Sequence, residues 1–193
     1  MKSLSRRTFL AVAGAAAAIG ASPSLAFAHS NAGVVEPAVA PPDVSLTLDD
    51  GKAASLRKLL RGRVSALQLM FTSCGATCPI QGAVFAAAAQ KLGERVPDAR
   101  FLSLTIDPGR DDAKALHGWM ARFGAHSRWQ AGRPEPRQLD PLVEFLKARN
   151  PGPDSHTAQV YFFNRRGQLA LRSVDFPTVS EILRVLEALA LRG

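Results

Sequence analysis

The stretch Phe71-Thr72-Ser73-Cys74-Gly75-Ala76-Thr77-Cys78-Pro79 follows directly on the apolar run Val64 to Phe71 and holds both cysteines of the 193-residue chain. A run of this kind, bounded by Gly62 before and by turn residues after, suits a buried central strand. Pro79 then opens an Ala- and Leu-rich segment that reaches about Val96, and proline in the first turn is what helices favour. A paired-thiol site is thus predicted at a strand-to-helix turn. The N–H groups left unpaired at a helix start carry partial positive charge, which lowers a thiol pKa and favours the thiolate that binds metal or attacks disulfides. Spacing of i, i+4 on a first helical turn aims both sulfurs to one side, so that both could grip one soft cation.

Working outward, the punctuation gives a coarse map. Val44 to Leu48 alternates and ends at the turn signal Asp49-Asp50-Gly51, the mark of a short strand or hairpin arm. Arg100 to Ile106 has strand character and stops at Asp107-Pro108-Gly109, and Asp111 to Phe123 repeats apolar residues with helical period at Leu116, Trp119, Met120 and Phe123. Pro136 to Ala148 reads as a further helix. Val160 to Phe163 and Gln168 to Arg172 flank Asn164-Arg165-Arg166-Gly167 as a β-hairpin, and Thr178 to Leu191 closes the chain as an amphipathic helix with Ile182, Leu183, Leu186 and Leu189 on one face. The order β, α, β, α, α, β, β, α describes an α/β sandwich with its reactive turn at the carboxyl end of a central strand.

The N-terminus specifies a compartment. Ser5-Arg6-Arg7-Thr8-Phe9-Leu10 is a twin-arginine signal, followed by the apolar stretch Ala11 to Ala21 and the small-x-small pattern Ala26-Phe27-Ala28. Residues 1–28 are expected to be a signal peptide cleaved after Ala28, since the uncharged run from Thr8 falls short of the ~20 residues that span a bilayer. Removing Lys2, Arg6 and Arg7 lowers the formal net charge from +8 to +5. The remaining basic residues form no block and no aromatic interleaving, which argues against nucleic-acid binding. Residues 29–42, small and with three prolines, read as a flexible or extended tether, and the folded domain is expected at 43–193. Its hydrophobic content excludes general disorder, and its length supports one core without a staple.

The cysteine stretch resembles the F-T-x-C-P-x-x-C-P signature of the SCO/SenC proteins, thioredoxin-fold copper chaperones of cytochrome c oxidase assembly. Two further stretches agree. Thr105-Ile106-Asp107-Pro108-Gly109-Arg110-Asp111 resembles the S-x-D-P-x-R-D segment of that family. His156-Thr157-Ala158-Gln159-Val160-Tyr161, followed by Gly167, resembles its H-[ST]-x-x-x-Y-L-x-x-x-x-G segment at the same spacings. The likeness runs from Asp43 to Leu191, with departures at Gly75, where the family usually has Pro, and at Ser155, where Asp usually precedes the His. Asp154 stands one place early as a partner for that His.

The resemblance implies a thioredoxin-like fold, a central mixed β-sheet flanked by helices, and copper, as Cu(I) or Cu(II), held by Cys74, Cys78 and His156. Soft Cu(I) is satisfied by two thiolates and an imidazole, whereas zinc seeks a fourth donor that the sequence does not offer. Thioredoxin-like redox proteins place a cis-proline where His156 falls, and no proline occurs between Ser155 and Gln168. The implied recipient is the copper-bearing subunit of cytochrome c oxidase before metallation. Other periplasmic copper chaperones or thiol reductases are implied as further partners.

Blander readings stand beside these. The two cysteines could form an inert disulfide, although a loop closed across three residues removes little unfolded-chain entropy. A lone His is more often a surface residue than a ligand, and without the motif His156 would carry little weight. His117 and His126 lack partner spacing and read as solvated. Met70 and Met120 fit apolar patterns and read as core. Asp107 and Arg110 either cap the following helix or face the cysteine site, and His29 would offer an amine and imidazole to Cu(II) if it began the mature chain. Two functions compete: a metallochaperone, and a thiol-disulfide oxidoreductase in which Cys74 and Cys78 are the catalytic pair that keeps oxidase cysteines reduced. A thiol peroxidase is weaker, because the P-x-x-x-T-x-x-C arrangement is missing around Cys74.

Overall fold

The run before the cysteines forms β4 (Ser65–Met70), every residue of which is buried. Such a strand needs cover on both faces, and its alternation sorts the core into two halves. Val64, Ala66 and Met70 pack with Phe85, Ala88, Trp119, Ile182 and Leu186. Leu67 and Leu69 point the other way, toward Leu56, Leu60, Leu142 and Leu146. The computed structural model describes residues 31–93, 95–124, 126–149 and 157–192.

In chain order the elements are β1 (Gly33–Val39), β2 (Ser45–Leu48), β3 (Ala53–Ser55), α1 (Leu56–Leu60), β4, α2 (Thr77–Leu92), β5 (Arg100–Thr105), α3 (Ala113–Ala121), β6 (Trp129–Pro134), α4 (Pro136–Leu146), β7 (Val160–Phe163), β8 (Leu169–Arg172) and α5 (Val179–Leu191). The strands form one sheet in the order β1-β8-β7-β4-β5-β6-β2-β3. β4 and β5 run parallel, with Ser65 opposite Arg100 and Met70 opposite Thr105, and β5 and β6 are also parallel. β7 lies antiparallel on the other side of β4. The α2, α3 and α5 residues share one core and those of α1 and α4 the other, so a mixed sheet is flanked by helices as expected. Among the described residues, no helix is long and apolar enough to cross a membrane.

Two close approaches use glycine. Gly167 sits at φ +73° in the β7–β8 turn, where its N–H reaches the Asn164 carbonyl at 2.8 Å. On α2 a Cβ at Gly82 would lie 2.5 Å from the Phe123 ring, so helix and ring pack only because that side chain is missing.

The structure corrects the reading in several places. Residues 33–39, expected within a tether, form β1 and pair with β8, and the folded unit runs from Asn31 instead of starting near Asp43. β1 is an edge strand, mostly exposed and with a register irregularity between Val34 and Val39, so its pairing is made by backbone and leaves no apolar alternation to read. β6 was also missed, because Trp129-Gln130-Ala131-Gly132-Arg133-Pro134 mixes Gly, Pro and polar residues. What holds it is tertiary: the Trp129 indole donates to Ser103 Oγ at 2.9 Å, and a Cβ at Gly132 would stand 3.1 Å from Leu104. The short β3 and α1 were likewise not anticipated. The helix after Asp111 is capped by Asp112, whose carboxylate accepts from Ala115 N–H at 2.8 Å, and not by Asp107 or Arg110.

Candidate thiol and metal site

β4 ends at Met70, and the chain turns through Phe71 to Ala76 before α2 begins at Thr77. Cys74 therefore lies in the loop, ahead of the helix, and only Cys78 is helical. The expected shared helical turn gives way to a different contact: the Cys78 N–H points at Cys74 Sγ, 3.4 Å away. Ala76, the residue at the cap position, offers no side chain that could accept a hydrogen bond. The Cys74 sulfur takes over that role, receiving an N–H of the first turn, and the Thr77 hydroxyl stands 3.5 Å from it. Pro79 has no N–H, which removes one donor that would otherwise need a partner.

The two sulfurs have opposite electrostatics. Partial burial disfavours the Cys74 thiolate, but the Cys78 N–H, the Thr77 hydroxyl and the Ala76 N–H together outweigh it and bring the thiol from 9.0 to about 7. Burial pushes the Cys78 thiol up to about 12; a Phe71 backbone contact opposes this and the neighbouring Cys74 sulfur adds to it. Cys78 is fully enclosed in the core with Met70 and Phe85. Both cysteines are free thiols here. The arrangement pairs an accessible nucleophile with a shielded second sulfur.

A buried carboxylate pins the loop. Asp111 is 1% exposed and accepts from Thr72 N–H at 2.9 Å, from the Thr72 hydroxyl at 2.5 Å and from the Thr105 hydroxyl at 2.5 Å. Ile106 N–H adds a bond to the Met70 carbonyl at 2.9 Å. Thus the Thr105-to-Asp111 segment and the cysteine loop are tied together at the carboxyl ends of adjacent parallel strands. Sequence reasoning missed Asp111 and Thr77 as residues of the site. The signal was present, since Asp111 ends the second motif and Thr77 lies between the cysteines.

The other candidates separate. Asp107 and Arg110 form a 4.0 Å ion pair at the surface, with Arg110 largely exposed. His117 is exposed on α3, and His126 Nδ1 accepts from Arg128 N–H at 3.3 Å. Met70 and Met120 are core residues, as read. His156 falls outside the described residues, as do His29, Asp154, Ser155 and the targeting segment 1–28. Among the described residues no group of three or more His, Cys, Asp or Glu gathers to hold a metal ion.

The strand after His156 is nevertheless anchored beside α2. Gln81, three positions after Cys78, donates its side-chain amide to the Ala158 carbonyl at 2.6 Å, and Phe176 N–H reaches the same oxygen at 3.1 Å. The Thr157 hydroxyl bonds the buried Tyr161 hydroxyl at 2.8 Å. The last two members of the third motif, Thr157 and Tyr161, are thus held together by a hydrogen bond between their hydroxyls.

With this geometry in place, the sequence model of the SCO1/SenC family matches residues 37–190. This chain belongs to the SCO1/SenC family. It is 34% identical over 74 residues to a SCO1 protein homolog of Bacillus subtilis, a match covering 38% of either chain. A SCO1/SenC family lipoprotein of Bacillus anthracis superposes with a TM-score of 0.70 at 22% identity, over 80% of this chain and 96% of that one. ScoI of Arabidopsis thaliana, solved with copper bound, gives 0.66 at 20% identity, over 79% of this chain and 99% of the other. These likenesses show the thioredoxin-like fold of the Sco proteins.

Proposed function

We propose that this SCO1/SenC chain is an exported metallochaperone that holds copper with Cys74, Cys78 and His156 and passes it to the copper-bearing subunit of cytochrome c oxidase. The observation that carries the reading is the polarised pair: a thiol brought to about 7 in a loop, next to a second thiol buried in the core. Cys74 presents a thiolate near neutral pH, to which a soft ion binds first. Cys78 then exchanges its proton for the metal, because the cation offsets the desolvation that keeps this sulfur protonated in its absence. His156 supplies the third donor in this scheme. Ala158, two residues further on, is tied to the helix that carries Cys78. The Arabidopsis relative contains copper, and the donor set of two thiolates and an imidazole suits that ion. Export through the twin-arginine route follows from Arg6 and Arg7, and the Bacillus anthracis relative is a lipoprotein.

A second reading is favoured by the same asymmetry. The Cys74 thiolate attacks a target disulfide and forms a mixed disulfide, releasing one target thiolate. Cys78 loses its proton and attacks the Cys74 sulfur, releasing the second; the target gains two electrons and the pair leaves oxidised. A periplasmic thiol reductase would then have to restore it. The two readings part at His156. His156→Ala should weaken copper binding strongly while leaving disulfide formation intact. In a deletion strain with matched export, the chaperone reading requires this variant to fail in restoring oxidase activity at limiting copper, with partial rescue by added copper. Full restoration by exported, copper-free His156→Ala would leave the reductase as the function.

A further inference from the structure

Far from the thiols, the fold collects arginines that the sequence scatters. Arg63 precedes β4, Arg100 opens β5, Arg128 precedes β6, and Arg165 and Arg166 follow β7. Strand pairing brings them to one end of the sheet. Arg100 stands opposite Ser65 and its N–H reaches the Val64 carbonyl at 3.0 Å, while Phe101 N–H reaches the Arg128 carbonyl and Gly62 N–H the Arg165 carbonyl, each at 2.8 Å. The strands involved are neighbours in the order β7-β4-β5-β6, so these residues span about 14 Å of the sheet's end at ~4.8 Å per strand. The thiol loop leaves the opposite end of β4, six residues on, a distance of about 20 Å at ~3.3 Å per residue.

Backbone oxygens, more than acids, hold the guanidinium groups in place. The turn Val96-Pro97-Asp98-Ala99 takes three of them. Arg128 donates to the Val96 and Pro97 carbonyls at 3.0 and 3.1 Å, Arg100 to the Ala99 carbonyl at 2.9 Å, and Arg165 forks onto the Asp98 carboxylate at 2.8 and 3.2 Å. Arg63 donates to the Leu59 carbonyl at 3.3 Å. Asp98 is thus committed to Arg165, and among the described residues Arg63, Arg100, Arg128, Arg166 and Arg192 enter no ion pair. Arg100 is held below the ordinary arginine range by its burial and then by the Arg63 and Arg128 cations, which Asp98 does not cancel. A guanidinium that spends one N–H on a carbonyl keeps others for an oxyanion, and its fixed fork suits phosphate.

Two features fit this end to a phospholipid surface better than to an acidic protein. Cations from four adjacent strands, and Arg192 after α5, lie across it, so a plane of phosphates meets them together. Exposed aliphatic side chains lie among them. Leu191, beside Arg192, is 89% exposed, and the Arg165 guanidinium binds the Ala190 carbonyl just before it. Val39, 46% exposed, stands opposite Leu169, where β8 leaves the turn that carries Arg165 and Arg166. A headgroup boundary takes in such side chains while its phosphates meet the guanidiniums, whereas a purely acidic surface leaves them wet.

We propose that this arginine-rich end of the sheet is a docking face for an anionic phospholipid bilayer, with Arg63, Arg100, Arg128, Arg166 and Arg192 meeting lipid phosphates and Leu191 entering the headgroup boundary. A chain seated in this way turns its thiol loop away from the lipid, where a partner can reach Cys74.

The test sediments reduced, copper-free protein beginning at His29 with vesicles of equal parts phosphatidylglycerol and phosphatidylcholine, and separately with vesicles of phosphatidylcholine alone. This chain keeps the folded unit from Asn31 and lacks the apolar targeting segment, which would partition into lipid by itself. Expected is saturable binding to the anionic vesicles that weakens as salt rises, and none to the neutral ones. Arg166→Gln and Arg192→Gln, both at exposed positions that the fold does not depend on, should each weaken binding about fivefold. Leu191→Ser should weaken it several-fold. Arg137→Gln removes the same charge at the start of α4, beyond the carboxyl end of β6, and should change nothing. No binding to the anionic vesicles, equal binding to the neutral ones, or an equal loss in Arg137→Gln would each overturn the proposal. Tighter binding to polyglutamate than to the vesicles would also overturn it, in favour of an acidic protein partner. Because no copper is present, failure here leaves the metal proposal standing, and loss of copper binding in a cysteine variant leaves this one standing.

Discussion

The loop that carries Cys74 and the first turn of α2 that carries Cys78 are four residues apart, yet they place the same functional group in opposite surroundings. Cys74 gathers donors from the helix start and is brought to about 7, whereas Cys78 sits in the apolar core and is pushed up to about 12. A helix N-terminus helps a sulfur that lies in front of it, where N–H groups point; a sulfur already inside the helix gains less from those donors and loses its water. One sulfur is thus prepared to react and the other is held in reserve.

The strongest way to break this contrast is to delete one sulfur at a time. If both are ligands, Cys74→Ala and Cys78→Ala should each abolish the one-to-one copper binding of the reduced protein, measured anaerobically by metal analysis after gel filtration. Near-normal copper in either variant would remove the clamp. Oxidation of the pair to a disulfide should expel the metal equally, since a disulfide sulfur is no longer a thiolate; metal retained after quantitative oxidation would place the ligands elsewhere.

Next in size is the anchor of the loop. Asp111→Ala leaves the Thr72 N–H and two threonine hydroxyls without their acceptor and should cost about 2–4 kcal/mol in urea unfolding, on a basis of ~1–3 kcal/mol for a buried group left unsatisfied. It should also narrow the reactivity difference between the two cysteines, because the loop that aims Cys74 at the helix is released. Unchanged stability and unchanged thiol reactivity would show that the carboxylate does not hold the loop.

The contrast can be sharpened by titration. Alkylation of Cys74 by iodoacetamide should rise with pH around a midpoint of about 7, while Cys78 in Cys74→Ala should stay unreactive until far more alkaline conditions. The Cys74 thiol is depressed below 9.0, so its ionisation favours the folded state above that value, and the contribution fades as pH falls through about 7. A Cys74 midpoint near 9 would mean that the helix donors do not reach the sulfur.

The smallest effect belongs to Gly75. A Cβ there would meet nothing within 4 Å, and its φ lies outside the left-handed region. Gly75→Ala should therefore stabilise the protein by roughly 0.4–1 kcal/mol, through a less flexible unfolded chain, and shift the Cys74 midpoint little. Destabilisation would show that the loop needs glycine's freedom.

Much of this was legible in one dimension. The β4 run, the α2 start, the β7–β8 hairpin and α5 all carry apolar periodicity and turn residues within their own segments, and that local information suffices to find them. The three ordered motifs pointed to the family for a similar reason, since each concentrates its chemistry in a few adjacent residues. Strands whose evidence lies in their neighbours stayed hidden: β1 pairs through exposed backbone at an edge, and β6 depends on Ser103 and Leu104 from the strand beside it.

What the chain determined alone is the thiol pair at a strand-to-helix turn, because spacing and helix-start chemistry are properties of consecutive residues. Tertiary structure decided which sulfur is polarised and which is buried, since that depends on the core closing over Cys78 and on Asp111 fastening the loop from 39 residues away.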